Sequence, residues 1–302
     1  MIVLLTSCAC GVRTQQKPIS NPAASASSSA VTETTADIAY FTKQWKTCAD
    51  QYMTLARSDA TAKKSEFYYS AATCLAREGR IDDAFASLDA SIESSWHDVA
   101  QWQTDADLES ARADARWPAL LAKVDERIEV WQRTLKAPEL RRELLALAAE
   151  DQRARNVWLE ATEPKTANAL EHEVEVIDQT DTIALKKMIA RYGWPNKTLI
   201  GDDGMHAAWL LAQHADHNRE LQRDILTRMK PMVQSGDVEP ADFAFLYDRV
   251  AVADTGKQLY GTQFKNSKEP FPIEDEAGVD ARRKAMGMST MAERIRLMAV
   301  KR

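Results

Sequence analysis

Residues 138–161 read PELRRELLALAAEDQRARNVWLEA, and this stretch decides the fold. It is built almost wholly from Ala, Leu, Glu, Arg and Gln, side chains that lose little freedom in a helix. At Pro138 the pattern of the chain changes to longer helices. Residues 166–193, TANALEHEVEVIDQTDTIALKKMIARYG, continue in the same manner. Val174-Glu175-Val176-Ile177 alternates briefly, but inside a longer 3.6-residue pattern, so helix prevails over strand. With 10 Gly and 10 Pro among 302 residues, the expected fold class is all-α throughout.

The chain carries 45 acidic and 39 basic residues, a formal charge of −6, spread without a basic stripe. Nucleic acid is therefore not an expected partner. No stretch approaches the roughly 18 apolar residues of a membrane-spanning helix. The first residues, MIVLLTSCACG, end an apolar run in Leu5-Thr6-Ser7-Cys8. This resembles a bacterial lipobox, which implies lipidation at Cys8 and an anchor as the sole membrane attachment. The run is short and no Lys or Arg precedes it, a departure that a start assigned too late would explain. The alternative is an apolar terminus on a cytoplasmic protein. Residues 9–35 are rich in Pro, Ala, Ser and Thr and are expected to form a disordered tether. The residue after Cys8 is Ala9, not the Asp associated with inner-membrane retention, so the resemblance favours the outer membrane. Cys48 and Cys74 are expected either to pair, as an oxidising compartment permits, or to remain buried thiols.

Residues 66–94, EFYYSAATCLAREGRIDDAFASLDASIES, set small and aromatic residues at Tyr69, Ala72, Ala76, Gly79, Ala84, Phe85, Leu88 and Ala90. The pattern resembles a tetratricopeptide repeat, so residues 36–135 are expected to be a short helical module. The resemblance implies a protein or peptide partner. Asp105 and Asp107 beyond it suit a helix cap better than a carboxylate pair for metal or acid–base work.

A scattered signature occupies residues 137–272, expected as a second helical domain. Its parts are Asp151-Gln152-x-x-Arg155, Asp178, Tyr192-Gly193-Trp194-Pro195, Gln213-His214-Ala215-Asp216, Asp248-Arg249 and Gln258-Leu259-Tyr260-Gly261-Thr262-Gln263-Phe264. Together, over residues 138–266, they resemble a bacterial domain-of-unknown-function family. Read singly, Asp151 and Arg155 are an i, i+4 pair that usually lies at the surface. Gly193 and Pro195 stop a helix, and Asp202 or Asp203 is expected to cap the next. On that helix His206 and His214 are about 12 Å apart in rise, too far to share a metal. Neither metal nor cofactor is expected. A break near Asn218 would bring Asp216 back to His214 as a His–Asp pair.

Two functions follow as expectations. One is a cell-envelope lipoprotein with a binding module and a domain holding a polar ligand pocket. The alternative is a periplasmic hydrolase or lyase with His214 as general base, Asp216 or Asp178 orienting it, and Gln152, Arg155, Arg249, Tyr260 and Gln263 binding substrate. Residues 273–302 are expected as a C-terminal amphipathic helix with an apolar stripe of Ala281, Ala285, Met288, Met291, Ile295 and Met298.

Overall fold

The structure is a computed structural model that describes residues 31–58, 63–95, 99–266 and 269–300. Cys8 and most of the expected tether lie outside the described residues. Those described form an all-α protein with fourteen α-helices and no strand. None of these helices is long and apolar enough to cross a membrane. The chain divides into two compact units, the first residues 1–127, 264–270 and 289–302, the second residues 128–263 and 271–288.

The first unit is built on α1 (Glu33–Phe41), α2 (Trp45–Ala56), α3 (Lys64–Glu78) and α4 (Ile81–Glu93). α1 begins inside the segment expected to be a tether. Thr32 and Thr35 form a reciprocal capping box there, and Ala36 and Ala39 are buried, which is enough to fix the first turn. Gly79 links α3 to α4 at φ 84°, the left-handed conformation that lets the chain reverse within two residues. Short α5 (Val99–Thr104) and α6 (Glu109–Arg112) lead into α7 (Trp117–Gln132), through which the division between the units passes.

Cys48 on α2 and Cys74 on α3 form a disulfide across a Cα separation of 6.0 Å. Both residues are fully buried in the middle of the most extensive helix contact of this unit. Converting both to alanine is expected to cost about 3 kcal/mol in denaturant-midpoint measurements, since the bridge closes a loop of separation 26. Asp105 caps its turn by accepting the Asp107 N–H at 2.9 Å, and also accepts the Tyr69 hydroxyl. Asp107 accepts the Tyr40 hydroxyl and pairs with Arg77. Both carboxylates are thus taken up in holding the module.

The second unit contains α8 (Pro138–Glu160), α9 (Pro164–Tyr192), α10 (Lys197–His214), α11 (Arg219–Ser235), α12 (Pro240–Thr255) and α13 (Val279–Ala285). α8 packs on both α9 and α10. α9 stops at Gly193, φ 73°, as the Gly-Trp-Pro sequence implies. The next cap is Asn196, whose side chain accepts the Leu199 N–H at 3.0 Å, and not Asp202 or Asp203. α10 therefore starts before the glycines and bends at Gly201, φ 74°. There the backbone lies against the Trp131 ring, and a Cβ would sit 2.5 Å from two ring carbons. Gly201→Ala combines backbone strain with this overlap and is expected to cost at least about 2 kcal/mol in urea unfolding. Asp203 instead receives the fork of buried Arg141, whose guanidinium covers the same Trp131 ring at 4.8 Å.

Residues 273–302 are two helices rather than one. α13 ends before Gly287, φ 68°, and α14 (Met291–Val300) begins at a Thr290–Glu293 capping box. The glycine and the new cap break the expected stripe, so Met291 is buried while Ile295 is 37% exposed. α14 belongs to the first unit, where it packs on α1.

Candidate functional site

α8 presents Leu140, Leu144, Ala148, Asp151 and Arg155 at helical spacing, all buried. Its apolar stripe therefore continues into an acid and a guanidinium, which desolvates both. The Asp151–Arg155 pair, expected at the surface, is buried for this reason, Asp151 at 1% and Arg155 at 5% exposure. Arg155 Nε donates to Asp151 Oδ1 at 3.1 Å, and Nη2 donates to Asp178 Oδ1 on α9. Gln152 Nε2 donates to Asp151 Oδ2 at 2.8 Å.

His214, the last residue of α10, completes this cluster. Its Nδ1 lies 2.9 Å from each Asp151 oxygen and 3.0 Å from Arg155 Nε. An unprotonated Nδ1 would point its lone pair at a carboxylate, so the proton resides on Nδ1 and is donated to Asp151. Arg155 Nε–H then goes to Asp151. Nε2 is left as the basic lone pair, with no hydrogen bond to it among the described residues. Burial pulls the His214 pKa below its usual value against the opposing pull of Asp151, so the ring is neutral at pH 7. Burial works to raise the Asp151 pKa, but the His214 hydrogen bond and the Arg155 charge bring it below the ordinary range.

Asp178 is pushed up to about 6, by burial first, with Asp151 and Asp216 adding repulsion against the pull of Arg155. Asp181, one turn further along α9, is pushed up to about 7, by burial and then by Asp151 and Asp178. The sequence reading did not single it out. The signal available was the buried row Asp181, Thr182, Leu185, Met188 and Ile189, in which one position is an acid.

Asp216 does not face His214. The chain does turn after α10, with Asn218 capping α11, but Asp216 is taken by the Arg249 fork, Nε to Oδ1 at 2.8 Å and Nη2 to Oδ2, and by Arg219 at 3.4 Å. The orienting carboxylate for His214 is Asp151, from a helix distant in sequence. Arg249 is a fork donor as expected, on the protein's own carboxylate. The charge of Asp216 is felt at Asp178 and that of Arg249 at His214, so the two clusters share one field. His206 lies against the Trp209 ring, 5.1 Å between centroids.

Tyr260 and Gln263 hold a loop. Asp248, fully buried, accepts the N–H groups of Leu259, Tyr260 and Thr262 and the Thr262 hydroxyl. Burial raises its pKa despite these donors. Gln258 bonds both to Gln263 and to the Phe271 carbonyl. Gln263 Nε2 donates to the Thr262 hydroxyl at 3.1 Å and to the Phe245 carbonyl at 3.4 Å. The Tyr260 ring meets Tyr247 edge-on.

Asp151, Asp178 and His214 offer three donor atoms within 4.8 Å of one another, a spacing that a divalent cation accepts. The Arg155 guanidinium already supplies the positive charge between them.

Residues 138–301, from α8 through α14, match a family of unknown function. The chain belongs to the DUF6624 family. The match runs beyond residue 266, through α13 and α14. No curated protein and no solved structure matches the chain.

Proposed function

We propose that the DUF6624 domain carries out proton-transfer chemistry on a polar substrate, as a hydrolase or lyase, with His214 Nε2 as general base. The observation that carries this is the Asp151–His214 hydrogen bond, which fixes the ring with its basic nitrogen unpaired and neutral at pH 7. Arg155 holds Asp151 ionised and ties it to Asp178. Asp178, with a pKa near 6, is the group suited to return a proton. Around this domain the reading is a lipid-anchored envelope protein, tethered by the residues that precede α1, whose repeat-like module holds a protein or peptide. The Cys48–Cys74 disulfide supports an oxidising location. A non-catalytic ligand site is the second reading, favoured by the near-complete burial of His214, 8% exposed.

The test is a panel of chromogenic ester, amide and glycoside substrates given to the full chain and to His214→Gln and Asp151→Asn. Turnover that falls at least about 100-fold in both variants is expected. Turnover insensitive to His214→Gln would remove the base from the mechanism, and its absence throughout favours binding.

A further inference from the structure

Among the described residues the aspartates around His214 outnumber the guanidiniums paired with them. Asp151, Asp178 and Asp181 face a single guanidinium, Arg155, while Asp216 has cations of its own in Arg249 and Arg219. Arg155 is bonded to Asp151 and Asp178 and leaves Asp181 without a donor. Asp181 is 3% exposed, and its buried Oδ2 receives no hydrogen bond. It stands i+3 from Asp178 on the buried face of α9, so both carboxyls project to the same side. A buried carboxyl oxygen without a partner is costly enough to call for an occupant.

We propose that Asp181 and Asp178 form a subsite for an ammonium group of the substrate that His214 acts on. This rests on the catalytic reading and names its substrate class. An N–H cation is favoured over a metal because the same cluster already accommodates one, the Arg155 guanidinium, without disturbing the Asp151–His214 bond. An ammonium would donate to Asp181 Oδ2 and take the place of the proton that the acid otherwise holds. The groups acting on Asp181 are Glu150, Asp151 and Arg155 from α8 and Asp178 from its own helix. Binding replaces protons now held by the two acids, so affinity rises with pH.

The probe is methylammonium, titrated into the full chain with 13C-carboxyl-labelled aspartate and followed by NMR, with acetate, Mn2+ and Zn2+ as comparisons. Saturable shifts of the Asp178 and Asp181 resonances are expected, with affinity rising about tenfold or more from pH 5 to pH 8. Asp181→Asn, nearly isosteric, is expected to weaken binding about tenfold. The proposal falls if acetate binds as well as methylammonium, if methylammonium does not saturate, if Asp181→Asn binds like the parent, or if only the metals bind. Methylammonium binding in a protein that turns over none of the chromogenic panel would keep the subsite and refute the general base, so the two failures are separable.

Discussion

Asp151→Ala is expected to destabilise the DUF6624 domain by about 3–5 kcal/mol, among the largest effects of any single change in it. The cost is more than one lost contact. Arg155 keeps its charge in a site that is 5% exposed, and His214 loses the acceptor that both carboxylate oxygens supplied at 2.9 Å. Urea unfolding at pH 7 measures it. The double change Asp151→Leu with Arg155→Met removes both ions and is expected to recover much of the loss, because a buried ion pair rarely outperforms packed apolar groups of similar size. It would also abolish the chemistry proposed for His214. A double variant as unstable as Asp151→Ala would show that the pair is needed for folding itself.

The second expectation concerns pH. Asp181 and Asp178 have folded pKa values raised from 3.8 to about 7 and about 6. Between the unfolded and folded values the native state holds more protons than the unfolded chain, so stability falls as pH rises through this window. At roughly 1.4 kcal/mol per unit, Asp181 alone contributes an upper bound of about 4 kcal/mol of loss between pH 4 and 7. Asp181→Asn removes that ionisation. The variant should be more stable than the parent at pH 8 by a few kcal/mol, and the two should converge near pH 4. Asp151 and Asp216 act oppositely, since their lowered pKa values cost stability only as pH falls through the acid range. Parallel pH profiles for parent and Asp181→Asn would refute the assignment.

The helical class was legible because periodicity and propensity agree along the chain, and membership of the family was expected over residues 138–266 and is found over 138–301. Proximity across helices was not. Local spacing makes Asp151 and Arg155 a surface pair; only the continuation of the Leu140–Leu144–Ala148 stripe shows that they are buried. The adjacency of His214 and Asp216 suggested a dyad. Yet the turn at Asn218 carries Asp216 toward Arg249 and leaves the imidazole to Asp151, sixty-three residues earlier. Tyr260 and Gln263 look like free donors in sequence because nothing there reveals that Asp248 accepts the Tyr260 N–H and Gln258 the Gln263 N–H. Asp181 gave no motif at all, since a protonated acid inside an apolar row resembles any polar residue in it.

The placement of α14 bears on how the protein comes to be made. The last helix belongs to the unit that starts the chain, where it lies on α1. The first unit is therefore completed only when α14 is available, after every residue of the second unit has been made. A truncation at residue 288 would take a helix from the first unit and leave all residues of the second.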